Sequence, residues 1–192
     1  MSEKLNLFST PLWTSKVNND RLLNRKLMMD CLDYKADQWN YLDLPGEGID
    51  ELRQFVISSA TNAANDYGIE FKEIKYRARQ HVRKPLECDI PHNHPNTDLL
   101  GVYYVTAPDK CGDILLHDTR GFVTDIWQDP NVKDPNDNRN IFGQSGLVFH
   151  RIKPEAGKLI LFPNYVTHSV ETNLSNDLRI SVVLEFRFIN NE

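Results

Sequence analysis

The stretch Leu178-Arg-Ile-Ser-Val-Val-Leu-Glu-Phe-Arg-Phe-Ile189 alternates between two kinds of side chain. One file is wholly apolar and consists of Ile180, Val182, Leu184, Phe186 and Phe188; the other consists of Arg179, Ser181, Val183, Glu185 and Arg187. Successive side chains of a strand point to opposite faces of its sheet. The pattern therefore predicts a strand whose apolar file lies under a packed layer, while the file with Arg179 and Ser181 faces the interior of a barrel.

Several earlier segments also resemble strands. Phe71 to Arg83 shows the same two-residue period, and shorter strand-like runs follow at Leu99 to Thr106, Asp113 to His117, Leu147 to Ile152 and Lys158 to Phe162, with Gly, Pro, Asn or Asp between them. Runs of this kind between turn-forming residues are typical of strands. Together they predict a barrel or a two-sheet jelly roll of about six to eight strands.

Two segments before residue 70 have the period of a helix instead. From Asn19 to about Gln38, the apolar positions recur at steps of three and four, and a second such stripe runs from Asp50 to Tyr67, where Gly68 supplies a stop. At 192 residues the chain fits a single domain. We expect residues 1–70 to form a helical support for a β core at 71–192.

The composition excludes some classes of protein. The net charge is -5 and the pI is near 5.7, which argues against a nucleic-acid binder. The three cysteines include no CxxC pair, so a reducing compartment fits them better than a disulfide framework.

No apolar run is long enough to span a bilayer, and residues 1–4 lack the start of a signal peptide. We predict a cytoplasmic location.

A segment rich in Asp, Asn and Pro runs from Phe122 to Gln144 and contains Trp127. It is long for a structureless connection, and such loops are often lids or disordered. One hypothesis is therefore that it covers a substrate site, and the other is that it is a surface insertion.

Three of the six histidines occupy informative positions. His92 and His94 lie two residues apart, so in an extended chain both point to the same face and can chelate one ion. His168 follows a predicted buried strand in the pattern Gly157-x5-Pro163-x4-His168, and Arg179 comes eleven residues later. An HxH pair alone could be a chance pair beside a strand, but the combination of these separate parts predicts a metal site formed by the three histidines.

The motifs HNHPNTDLLGVYYV (92–105), CGDILLHDTRG (111–121), PEAGKLILFPNYVTHSVETN (154–173) and LRISVVLEF (178–186) resemble the 2-oxoglutarate (2OG) and Fe(II)-dependent oxygenases, in particular a branch with an HxHP...GVYY signature. The resemblance covers roughly Tyr76 to Phe188. It implies a double-stranded β-helix supported by helices. It also implies that His92 and His168 are iron ligands and that Arg179 binds the far carboxylate of 2OG, assisted by the hydroxyls of Ser181 and Tyr104.

The second metal position departs from the superfamily pattern, which is HxD with a two-histidine, one-carboxylate triad. In this chain the position of the acid is occupied by His94. Three explanations remain open: His94 itself is the ligand, Asp98 or Asp118 supplies a carboxylate, or a water fills the position. We favour His94 because it stands where the acid would be, and Asp118 is the second choice.

The reaction that the resemblance implies is a hydroxylation in which 2OG and O2 are consumed and a C–H bond of a substrate is oxidised. Two other hypotheses remain. The histidine motifs also approach those of cupins, some of which are metal enzymes that do not use 2OG, but Tyr165 then stands where a Gly is expected and Arg179 has no role. A non-catalytic barrel that binds a small ligand, with structural histidines, is the third hypothesis. The sequence specifies neither the primary substrate nor the oligomeric state.

Overall fold

The computed structural model describes residues 9–30, 38–118 and 149–190. Its elements, in chain order, are β1 (Trp13–Lys16), α1 (Asp20–Asp30), a 3-10 turn (Tyr41–Asp43), α2 (Glu47–Asp66), β2 (Glu73–Arg83), β3 (Asp89–His92), β4 (Leu99–Thr106), β5 (Ile114–His117), β6 (Phe149–Ile152), β7 (Lys158–Pro163), β8 (His168–Val170) and β9 (Arg179–Ile189). The predicted segment 122–144, with Trp127, lies outside the described residues.

The strands form two antiparallel sheets. The larger sheet has the order β1-β7-β4-β9-β2 and the smaller sheet has the order β3-β8-β5-β6. This arrangement confirms the predicted class, a mostly β jelly-roll fold of the double-stranded β-helix type with supporting helices.

The larger sheet separates two hydrophobic clusters, and β9 contributes to both of its faces. The apolar file of β9 packs under the helices, where Val182, Leu184 and Phe186 are fully or almost fully buried together with Leu52 and Val56 of α2. Burying one such side chain contributes about 1.5–3 kcal/mol. The predicted orientation of the strand is therefore confirmed, and its other file faces the smaller sheet.

The second cluster fills the interior of the barrel. It takes the even-numbered residues of β4, namely Leu100, Val102 and Tyr104, whereas Leu99 and Tyr103 of the same strand belong to the cluster under the helices. The alternation determines which side chains of β4 point into the barrel, because only one face of each strand points inward.

The observed bounds differ from the predicted ones mainly at short elements. α1 is described as far as Asp30 rather than Gln38, since residues 31–37 lie outside the described part, and α2 begins three residues before the predicted Asp50. Three strands were not predicted: β1 adds an edge to the larger sheet from within the segment expected to be helical, and β3 and β8 carry the histidines. Each has only three or four residues, too few to show a period.

The glycine of the Gly157-x5-Pro163 pattern occupies a tight turn before β7. Its φ is +82°, and a Cβ atom there would lie 2.3 Å from the Cβ of Asp20 at the start of α1. The Gly157 N–H donates to the carbonyl of Tyr104 at 2.8 Å, and its own carbonyl accepts from the Val17 N–H at 3.1 Å. Only glycine adopts this φ without strain, and the position has no room for a side chain. The turn therefore connects the layer of helices with the barrel.

Neither helix of the described residues has the length and apolar character needed to cross a membrane. The cytoplasmic location stays a prediction, as does the organisation of residues 1–192 as one domain.

Candidate active site

Three histidines meet between the two sheets at one end of the barrel. His92 and His168 are paired across β3 and β8, and His94 follows β3 by two residues. One ring nitrogen from each lies within 4.8 Å of the others. The ring centroids are separated by 4.4 Å between His92 and His168, 5.2 Å between His92 and His94, and 5.4 Å between His94 and His168. Such a group can surround a single metal ion.

The second ring nitrogen of each histidine already has a partner. The Nδ1 atoms lie 2.7 Å from the Ile90 carbonyl for His92, 3.3 Å from the Val166 carbonyl for His168, and 2.6 Å from Oε1 of Glu185 for His94. Carbonyl and carboxylate oxygens only accept hydrogen bonds, so each Nδ1 must carry the proton. The lone pair is thereby left on Nε2 in all three rings, which is the atom available to a metal.

Burial keeps one of these three histidines in the neutral form that metal binding requires. His168 is 6% exposed. Desolvation, with a smaller contribution from the neighbouring His92, lowers its pKa to about 3. A neutral imidazole is required for coordination, so this ring is ready to bind at physiological pH. The edge of Phe162 also lies against it, with centroids 5.2 Å apart.

The two acids considered as alternatives for the third position do not join the group. Oδ2 of Asp98 accepts a hydrogen bond from the Phe188 N–H at 2.8 Å, which ties it to the end of β9. Asp118 follows β5 directly. Among the residues that the structure describes, the candidate metal group contains His92, His94 and His168 and neither of these acids.

Glu185 is a residue of the site that the sequence did not single out. It is 5% exposed, and its two oxygens contact His94 and the guanidinium of Arg77. Burial alone would raise its pKa, but the hydrogen bonds from His94 and Arg77 outweigh that effect and hold the pKa below its ordinary value. The alternation of β9 had placed Glu185 on the inner face, but no sequence signal paired it with a histidine 91 residues away.

A buried cation occupies the other end of the same strand face. Arg179 is 2% exposed, and its Nε and Nη1 atoms have no hydrogen-bond partner among the described residues. Its guanidinium lies 5.5 Å from the ring centroid of Tyr104, whose buried hydroxyl also has no partner there. Burial raises the pKa of Tyr104 to about 12, although Arg179 opposes this shift, so the hydroxyl stays protonated and can donate.

Ser181 lies between these two predicted residues in the sheet. It is 1% exposed and opposes His81 on β2 and Tyr104 on β4. Its hydroxyl is 3.5 Å from the His81 carbonyl, a long and weak hydrogen bond. Tyr104 and Ser181 thus add hydroxyl donors beside the guanidinium of Arg179. Among the described residues, this guanidinium has no carboxylate partner. An unpaired buried charge is costly, and the donor set suits a carboxylate ligand.

Comparison with known proteins agrees with these features. Residues 81–185, more than half of the chain, match a family described as "Putative 2OG-Fe(II) oxygenase". The chain belongs to this family of 2OG-Fe(II) oxygenases. No curated protein sequence matches it. The family's cofactors are Fe(II) and 2OG, with O2 as the second cosubstrate, and three imidazoles form a donor set that iron accepts.

Solved structures show the same fold for this oxygenase at low identity. A prolyl-4-hydroxylase from Pseudomonas putida is 14% identical with a TM-score of 0.61, and the match covers 94% of this chain and 90% of that one. The carbocyclase SnoK from nogalamycin biosynthesis is 10% identical with a TM-score of 0.62, covering 92% and 79%. AviO1 from Streptomyces viridochromogenes Tue57 is 10% identical with a TM-score of 0.59, covering 92% and 89%.

Proposed function

We propose that this oxygenase is a 2OG- and Fe(II)-dependent hydroxylase in which His92, His94 and His168 hold the iron and Arg179 binds the far carboxylate of 2OG. The observation that carries the proposal is the buried, unpaired guanidinium of Arg179 inside the same barrel as the three-histidine group. Arg suits this task because its planar fork pairs with a carboxylate through two parallel hydrogen bonds and remains charged when buried.

The bound iron and 2OG supply the oxidising chemistry, which couples decarboxylation of 2OG to oxidation of a substrate C–H bond. The residues of the chain would bind the iron and 2OG and orient them. One ring nitrogen of each histidine lies within 4.8 Å of the others, and the Tyr104 hydroxyl, with Ser181, adds neutral donors beside Arg179. The apolar cluster of the interior excludes water around them.

A cupin without 2OG would use the same histidines, but it gives no role to a buried cation. The two hypotheses therefore differ in one measurable property, which is whether 2OG binds and whether its binding needs Arg179. The test adds Fe(II) and then 2OG to the metal-free protein without oxygen and records the visible spectrum.

We expect a metal-to-ligand charge-transfer band in the wild type, no band in His168→Ala, and a band in Arg179→Ala only at much higher 2OG. A matched control is His117→Ala, because His117 is an imidazole of the smaller sheet that bonds to Ser169 at 2.8 Å and lies outside the metal group. His117→Ala should retain the band. Iron binding without any band at saturating 2OG would refute the proposal and favour the cupin or the ligand-binding barrel.

A further inference from the structure

His94 differs from the other two histidines of the metal group in the partner of its Nδ1 atom. The Nδ1 atoms of His92 and His168 contact neutral backbone carbonyls, whereas Nδ1 of His94 lies 2.6 Å from a carboxylate oxygen of Glu185. This histidine also stands where the superfamily pattern has a metal-binding acid. The chain therefore keeps a carboxylate at this position, but places it behind the imidazole.

We infer that Glu185 is a positioning residue for the metal: it holds His94 as the Nδ1–H tautomer with Nε2 toward the ion and supplies, from outside the ligand shell, the negative charge that the usual acid would bring. The inference rests on the metal site of the proposed function. A carboxylate behind a ligating imidazole raises its basicity and fixes its orientation, which strengthens the metal bond.

The contacts of Glu185 hold it in place. Its second oxygen pairs with Nε of Arg77, a side chain that is 54% exposed, while Glu185 itself is 5% exposed. The guanidinium of Arg77 lies 4.4 Å from the ring centroid of Trp39, and the edge of Trp39 meets His94 at a centroid distance of 6.3 Å. His94, Glu185, Arg77 and Trp39 thus form a closed ring of contacts, which restricts rotation of the imidazole.

The charge argument explains why a histidine is tolerated at the acid position. Three neutral imidazoles leave the full positive charge of Fe(II) on the centre, whereas the two-histidine, one-carboxylate triad neutralises one unit. Glu185 places a carboxylate within hydrogen-bonding distance of the ligand, and Arg77, whose side chain is 54% exposed, shares its charge. Asp98, one of the acids that the sequence offered for the metal position, accepts a hydrogen bond from the Phe188 N–H instead.

The test measures binding of Co(II), a spectroscopic probe of the same ligand set, to the metal-free full-length chain with Glu185→Gln and Glu185→Ala. We expect an affinity loss of about 10–100-fold, the usual effect of removing a partner behind a metal ligand, together with a shift of the Co(II) visible bands. The amide of Glu185→Gln has one acceptor for the two donors, Arg77 and His94, so its NH2 group can turn toward Nδ1 and favour the wrong tautomer. The isosteric variant should therefore lose affinity without unfolding.

Two controls separate positioning from a general effect. Glu171→Gln removes another ion-paired carboxylate, which contacts Arg151 at 2.9 Å, and should leave Co(II) affinity unchanged. In a His94→Ala background, Glu185→Ala should cost nothing further, because Glu185 acts through His94 and the two changes are then not additive.

An equal loss of affinity from Glu185→Ala with and without His94 would overturn the inference and indicate that Glu185 binds the metal or acts independently. Unchanged affinity and unchanged Co(II) bands in both Glu185 variants would overturn it as well. Failure of the proposed function looks different, since the wild type would then bind metal but give no charge-transfer band with Fe(II) and 2OG.

Discussion

Replacing Arg179 by Met should make the metal-free protein more stable and at the same time greatly weaken its binding of 2OG. The guanidinium is 2% exposed and lacks a carboxylate among the described residues, so its charge is a cost in the absence of a ligand. Exchange of buried charges for apolar groups of similar size commonly stabilises by about 1–4 kcal/mol. Loss of the contact with the Tyr104 ring at 5.5 Å offsets about 1 kcal/mol of this gain. For a chain of this size, 1 kcal/mol corresponds to about 2–4 °C in Tm.

The effect of the same substitution on 2OG binding is larger and opposite in sign. A carboxylate in the fork of Arg179 would accept two charge-assisted hydrogen bonds, each contributing about 1.5–3 kcal/mol. Their loss amounts to about 3–6 kcal/mol, which is about 10²- to 10⁴-fold in the dissociation constant of 2OG, since 1.4 kcal/mol is tenfold.

Thermal unfolding of the metal-free protein and anaerobic titration of the Fe(II) form with 2OG measure the two effects. Arg83 provides a matched control, because it opposes Arg179 in the register of β2 and β9 but is paired with Asp89. Arg83→Met should lower Tm and leave 2OG binding nearly unchanged. If Arg179→Met lowers Tm as much as Arg83→Met does, Arg179 is already paired within the chain, and the reasoning about a carboxylate ligand is refuted.

Three further predictions follow from other parts of the structure. Removal of metal by a chelator should lower Tm by about 5–10 °C. The reference is the protein with metal at about a hundred times its dissociation constant, where binding contributes about 2.7 kcal/mol to the free energy of unfolding. No change in Tm would mean that the histidines hold no metal. Burial lowers the pKa of His81, so below about pH 6.5 the unfolded state binds more protons than the folded state. The free energy of unfolding of the metal-free protein should therefore fall as the pH falls. In urea unfolding at pH 5–7, His81→Gln should make this decrease shallower. Gly157→Ala should destabilise the protein by about 1–3 kcal/mol in the same assay, because φ is +82° and the new Cβ would meet Asp20, and an unchanged midpoint would contradict that close approach.

The parts of the fold that the sequence predicted are those with long periodic patterns. β9 and β2 have eleven residues each, and their alternation predicts that they are strands and, for β9, which face lies under the helices; β4 is recognisable as an apolar run of eight residues. The grouping of the three histidines was predictable because HxH places two imidazoles on one face, and the Gly157-x5-Pro163-x4-His168 pattern identifies the third.

The parts that escaped prediction depend on how distant segments align. β1 and β8 are too short to show a period, and they are strands because β7, β5 and β3 bond to them. The pairing of His94 with Glu185 joins residues 91 positions apart and follows only from the register of the sheets. The alternation showed that Glu185 faces inward, but not which side chain it meets there.

Both charged residues that define the site belong to one face of one strand. Arg179 and Glu185 are six positions apart on β9, so both point into the barrel, while Ile180, Val182 and Leu184 between them point to the helices. A slip of one residue in the pairing of β9 with β2 and β4 would turn both charges into the cluster under the helices and the apolar file into the site. Burial of Val182, Leu184 and Phe186 opposes such a slip with about 1.5–3 kcal/mol for each side chain. The hydrophobic face of β9 therefore fixes the register on which both ends of the proposed site depend, the end proposed to bind a carboxylate and the end proposed to bind a metal.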